Sequence, residues 1–213
     1  MRIKALLGLA ALAVGLSTSM AQNVYSLNVV GYINITVGAG YTLCANQLNN
    51  GTNGINQVLA NPPENAAVLT FANNDYVSDL AVGGAWYDKD ANPSTTALPP
   101  GKGFFYNAPA AATLTLVGEV PQGATSIALP AGYALIGTYT PQALELSATN
   151  GFPMVENTTY LKFANNDYTS YLVVGGAWYD KDANPVTVVP PIGSGYFINA
   201  PAATAWNYNF TVQ

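Results

Sequence analysis

Apolar and polar residues alternate through residues 31–37, with Ile33, Ile35 and Val37 on one side and Tyr32, Asn34 and Thr36 on the other. A period of two is the signature of a half-buried strand. The pattern returns in the same phase at 123–129 through Ile127 and Leu129. After an Ala-Gly corner, residues 41–45 and their counterparts 133–137 read as second strands. Residues 67–72 and 76–82 predict a hairpin around Asn73-Asn74-Asp75, because Asn and Asp tolerate the left-handed backbone of a tight turn. Gly83-Gly84 then breaks the ladder before an aromatic strand, Ala85-Trp86-Tyr87. The glycine-rich stretch 101–105 and residues 113–117 add two more strands, matched by 193–197 and 206–212.

These elements occur twice because the sequence does. Residues 71–93 and 163–185 differ at three positions over a fixed offset of 92 residues. The differences fall at 77, 79 and 81 (Thr169, Tyr171 and Val173 in the second copy), and alternate positions share one face of a strand. That periodicity predicts an outward face at 77, 79 and 81 and an inward face at Tyr76, Ser78, Leu80 and Val82. Lys162 opposite Thr70 predicts the same for the preceding strand, with Leu69 and Phe71 in the core. The loops at 47–63 and 141–148 diverge most, and the second has the composition of a short helix.

The fold class expected is all-β: two tandem homologous modules of six or seven strands, sandwich or barrel-like, packed together or strung in line. Residues 1–21 read as a signal peptide, 22–118 as the first module with a leading strand at 24–30, and 119–213 as the second. The period is too long for a solenoid repeat of about 20–50 residues.

Composition narrows the function. Arg2 and Lys4, an apolar run at 5–16 and Ser19-Met20-Ala21 have the layout of a secretory leader cleaved after Ala21. The run falls short of the about 20 residues a membrane-spanning helix needs. A secreted, cell-surface or periplasmic location follows. The remaining chain carries four Lys and no Arg against eleven acids, a formal charge of −7. Such a chain lacks the basic footprint of a nucleic-acid binder. Only 8% of residues are charged, so mutual repulsion is weak and association is favoured. Cys44, the sole cysteine, is matched by Ile136 and reads as an apolar core position.

The start NVYSLNVVGYINITVGAGYTL, the Pro-Gly-x-Gly-Phe-Phe motif at 100–105, VGEVPQG at 117–123 and the ending NYNFTV resemble a family of secreted two-repeat β-rich proteins from verrucomicrobia-like bacteria. The resemblance spans nearly all of the chain after the leader. It implies a bacterial exported protein and carries over no catalytic residues.

Candidate chemistry is sparse. Asp88-x-Asp90-x-Asn92 and Asp180-x-Asp182-x-Asn184 space oxygen ligands as calcium loops begin. Pro93 and Pro185 stand where an EF-hand needs Gly, and Pro99 and Pro191 where it needs its closing Glu. The competing reading is a polar turn whose side chains bond backbone amides. Trp86-Tyr87 and Trp178-Tyr179 place one ring of each pair on each strand face: Trp reads as core, and Tyr87 and Tyr179 are candidates for a sugar-binding platform. Gly101-x-Gly103 lacks the Lys-Ser/Thr ending of a phosphate loop and reads as structural. With no His and no Arg after the leader, Ser-His-Asp, Cys-His and His-zinc schemes are closed. A carboxylate glycosidase needs two acids about 5–9 Å apart across a cleft; pairs such as Asp88 with Asp90 or Glu64 (copied as Glu156) are available, but two equal copies of an acidic turn do not suggest one cleft. The expected function is non-enzymatic: a secreted structural or surface-interaction protein that self-associates through strand edges. The alternative is an extracellular carbohydrate-binding module, with calcium as its one candidate cofactor and envelope or extracellular polysaccharide as partner.

Overall fold

The computed structural model describes residues 29–212. The leader at 1–21 and residues 24–28 of the leading strand expected at 24–30 lie outside the described residues, and Val30 is the first residue of the strand Val30–Val37. The described residues form an all-β fold of antiparallel sheets.

In the first half, β1 (Val30–Val37) pairs with β7 (Ala112–Glu119) as a two-stranded ribbon. The strands β2 (Gly40–Ala45), β3 (Ala67–Ala72), β4 (Asp75–Val82), β5 (Ala85–Tyr87) and β6 (Gly103–Ala108) form a sheet in the order β2-β6-β3-β4-β5. The helix α1 (Ile55–Val58) lies in the loop between β2 and β3. In the second half, β8 (Gly123–Leu129) and β15 (Thr204–Phe210) form the ribbon. The strands β9 (Gly132–Ile136), β10 (Thr159–Ala164), β11 (Asp167–Val174), β12 (Ala177–Tyr179), β13 (Pro185–Val186) and β14 (Tyr196–Ala200) form the second sheet, ordered β13-β12-β11-β10-β14-β9. Pairing recurs at the sequence offset: Phe71 opposite Tyr76 corresponds to Phe163 opposite Tyr168, and Leu43 opposite Phe105 to Leu135 opposite Phe197. Glu119, where the second module was expected to begin, is the last residue of β7. The helix expected at 141–148 appears instead as a 3-10 turn, Ala148–Asn150.

Asn73 and Asn74 both take positive φ (53° and 60°), as do Asn165 and Asn166. Two successive left-handed residues make the turn whose twist matches the flanking strands. The hairpin expected around the Asn pair is therefore present in both halves.

Each sheet buries two faces. One faces its own ribbon. In the first half this core gathers Ile33, Ile35, Val37 and Leu116 from the ribbon against Cys44, Val68, Phe104 and Trp86 from the sheet. In the second half Ile127, Leu129 and Trp206 meet Tyr160, Val173, Trp178 and Tyr196. The other face meets the opposite sheet in a separate cluster of Leu43, Phe105, Leu135 and Phe197, flanked by Leu69, Phe71, Leu161 and Phe163. The layers thus run ribbon, sheet, sheet, ribbon. The halves pack together, one of the two arrangements left open by the sequence.

The expected facing of the hairpin is overturned. Asp79 and Ala81 are fully buried, at 0% exposure, while Leu80 and Val82 are 45% and 46% exposed. Positions 79 and 81 face the ribbon, and Tyr76, Ser78, Leu80 and Val82 lie on the inter-sheet face. Leu69 and Phe71 also lie on that face, half-buried between the sheets, and Val68 and Thr70 point into the ribbon-side core. Two of the three differences, at 79 and 81, mark ribbon-side positions because the two ribbon-side cores are separate; the third keeps its expected outward place, with Val77 50% exposed and Thr169 exposed as well. In the first half Thr96 Oγ1 donates to Asp79 Oδ2 at 2.7 Å. In the second, Tyr171 replaces Asp79 and packs on Tyr160 with ring centroids 5.8 Å apart.

Candidate functional site

Asp88 closes a tight turn after β5. Its Oδ1 accepts the backbone N–H groups of Asp90 and Asn92, each at 2.9 Å, and the Ala91 N–H donates to Asp88 O at 3.0 Å. Ala91 and Ala183 hold positive φ, near 60°, which an alanine adopts only when its surroundings impose it. Asp180 repeats the pattern with Asp182 and Asn184 at the same distances. The Asn92 N–H holds the Asp88 carboxyl below the usual carboxylate range, with Asp90's amide and the Lys89 charge adding to it. The Asn184 N–H does the same for Asp180. Asp90 and Asp182 pair with the adjacent Lys89 and Lys181 at 2.8 Å. Within each turn one carboxylate binds backbone amides, the next binds a lysine, and the Asn side chain leans on Asp88 or Asp180. Among the described residues, no group of three or more acidic, Cys or His side chains converges for a metal. Glu64 and Glu156 are likewise turn-forming, accepting the N–H of Gly83 and Gly175 at 2.8 Å.

The aromatic pairs divide as the strand pleat requires. Trp86 and Trp178 are core, each donating its indole N–H to a buried carbonyl, Leu59 O (2.8 Å) and Leu146 O (2.6 Å). Tyr87 and Tyr179 take the other side and are half-buried. Tyr87 stands directly opposite Leu80, and Tyr179 opposite Leu172. In the first half Tyr87 and Leu80, with Ser78, Val82, Asp88, Lys89 and Ala91, line an open hollow of about 420 Å³.

That hollow sits on the part of the inter-sheet face that the opposite sheet leaves bare. Across one row the face runs Leu43, Phe105, Leu69, Ser78; across the next, Tyr41, Asn107, Ala67, Leu80, Tyr87. The opposite sheet buries Leu43 and Phe105 in the first row, while the second row is open at both ends, with Tyr41 46% and Leu80 45% exposed, and the β4–β5 end overhangs. Leu172 and Val174 overhang in the same way, 38% and 43% exposed.

The sequence had pointed to Tyr87 and Tyr179 but placed Leu80, Val82, Leu172 and Val174 in the core. The signal was present: these residues are identical between copies while their neighbours differ. Two buried faces and one overhang reverse its meaning, and neither follows from a strand pattern alone.

Contacts between halves are reciprocal. Phe71 meets Phe197, and its counterpart Phe163 meets Phe105, both edge-on with centroids 5.2 Å apart. The Ala45 N–H donates to Gly193 O (2.8 Å), and the Gly137 N–H to Gly101 O (3.0 Å). Tyr76 and Tyr168, also counterparts, share a hydrogen bond; burial and this neighbour push the Tyr168 hydroxyl up to about 12. These contacts map onto one another when the halves are exchanged, an approximate two-fold relation between the sheets; Gln47, which bonds Thr138 and accepts the Gly193 N–H, has no counterpart, because Tyr139 stands at the equivalent position.

Comparison with protein-family models, curated protein sequences and solved structures returned no match to this chain.

Proposed function

We propose that this is a non-enzymatic, exported structural or surface-interaction protein that associates with further copies of itself. The observation that carries this reading is the inter-sheet face. Its larger side chains are the same in both halves: Tyr41 and Tyr133, Asn107 and Asn199, Leu80 and Leu172, Tyr87 and Tyr179. On the ribbon face of the same strands, Val68 faces Tyr160 as its counterpart, Asp79 faces Tyr171, and Tyr106 faces Ile198. Recent duplication would preserve both faces alike. The covered part of the inter-sheet face is held constant by packing against its own copy; the uncovered part has no such constraint within the chain. Exposed Leu, Val and Tyr are free to become polar, and their retention supports contact with something outside.

The test is the size distribution of the exported chain by sedimentation velocity and electron microscopy over a concentration series. Growth of assemblies with concentration is expected. A monomer at every concentration overturns the reading. Deletion of residues 22–30 in parallel separates association through the leading segment from association through sheet faces.

A second reading has one observation behind it: the hollow beside Tyr87 combines an aromatic wall with hydroxyl, carboxylate and ammonium groups, the mixture that grips sugar rings. Polysaccharide pull-down with and without chelator tests it, and capture lost in Tyr87→Ala with Tyr179→Ala would establish a carbohydrate-binding module. Calcium dependence of that capture would assign the metal to the Asp88 and Asp180 turns.

A further inference from the structure

The uncovered strip around Leu80, Val82 and Tyr87 has a definite partner in its own chemistry, and this inference rests on the self-association just proposed. The same sheet face, a strand or two away, is already packed against a copy of itself: Phe105 and Leu69 on one sheet meet Phe197, Phe163 and Leu161 on the other. The strip lies on that same face in the adjacent row: Phe105 and Leu69 lead on to Ser78, while Leu80 and Tyr87 follow Asn107 and Ala67, two residues along each strand. Its rim is self-complementary in charge. Lys89 and Asp90 stand side by side, 81% and 63% exposed, at the edge of the hollow. The two side chains pair with each other at 2.8 Å; docking about a two-fold axis would exchange these bonds, each Lys89 taking the other molecule's Asp90.

We propose that this strip is a docking surface for the same strip on a second copy of the chain, and that the chain carries it twice. Leu172, Val174, Tyr179, Lys181 and Asp182 repeat every side chain of the first strip across the pseudo-two-fold. A molecule with two self-complementary faces has no closed dimer as its endpoint. Internal and intermolecular two-fold axes alternate, and association propagates into an open chain. Growth is concentration-dependent.

The experiment compares the full exported chain with Leu80→Asp, Leu172→Asp and the double variant by sedimentation velocity, with circular dichroism to confirm the fold. Wild type should grow into a ladder of larger species, each single variant should stop at the dimer, and the double variant should remain monomeric. Variants that grow like wild type would place association elsewhere and overturn this surface while leaving self-association intact. A wild-type protein that never associates would remove both. Should the Asp variants misfold, charge exchange serves: Lys89→Asp with Lys181→Asp should abolish growth, and adding Asp90→Lys with Asp182→Lys should restore it. Failure of that restoration overturns the two-fold rim. A monomer that instead captures polysaccharide through Leu80 and Leu172 overturns self-docking in favour of the glycan reading.

Discussion

Gly195 has room for nothing more than hydrogen: a Cβ there would lie 2.3 Å from the Cys44 carbonyl oxygen, and one at the equivalent Gly103 would lie 2.9 Å from the Ile136 amide nitrogen. Both obstacles are backbone of the other half and cannot rotate away. Gly195→Ala and Gly103→Ala should each destabilise by about 1–3 kcal/mol, Gly195→Ala more, whereas Gly38→Ala, with open space around it, should leave the melting temperature nearly unchanged. Thermal denaturation of the three variants checks the order. The buried titratable groups set an alkaline limit. Burial pushes the Cys44 thiol up to about 12 and the Tyr196 hydroxyl well above its ordinary value. Their folded-state values exceed the unfolded ones, so the stability they contribute is complete below the unfolded values, about 8.5 and 10, and falls as pH rises beyond them. Urea midpoints should hold steady from pH 7 to 8 and decline above about pH 9. Cys44→Ala should remove the earlier part of that decline.

At the scale of elements, the Asp-Lys-Asp-Ala-Asn turn explains why β5 and β12 end where they do. Asp88 and Asp180 replace a ladder with their own amide bonds, and Ala91 and Ala183 take the left-handed backbone that closes it. Their carboxyls are lowered by those bonds, so the turn is most stable above the usual Asp value of about 3.9 and loosens as pH falls through the depressed values. The protection of the Asp90, Asn92, Asp182 and Asn184 amides against exchange, taken relative to the unstructured rate at each pH, should fall together on acidification. Asp88→Ala should produce the same loss of protection at neutral pH for Asp90 and Asn92 alone, leaving the distant turn protected. The hairpin before this turn was legible in the sequence down to its two Asn residues, because turn chemistry is local. Its facing was not, because the buried side carries Asp79 while the open side carries Leu80 and Val82, the reverse of the usual polarity. Leu80 and Val82 look like core in the sequence and lie at the surface only because the opposite sheet stops short of them.

The whole molecule is held by the inter-sheet cluster. Phe105 and Phe197 are almost fully buried and each touches aromatic rings from both halves. Each such side chain contributes about 1.5–3 kcal/mol of burial, and the Gly193 and Gly101 loops cross to bond the opposite half. Phe105→Ala and Phe197→Ala should cost about 3–5 kcal/mol each, with near-equal effects because the axis makes their surroundings equivalent. Calorimetry of the wild type should show one cooperative transition. Two resolved transitions would mean that the cluster couples the halves weakly.

The sequence by itself determined the strand periods, the Asn-Asn and Asp-Asn turns, the internal repeat and the poverty of catalytic groups, because each depends on residue type and on neighbours a few positions away. It also showed which residues are constant between copies. Only the tertiary structure decided what that constancy means. Packing one sheet face against its own copy demands identical residues on both sides of a two-fold axis, while two separate cores tolerate different solutions. The overhang of β4 and β5 beyond that contact is a property of how two sheets are offset, and no local pattern encodes it.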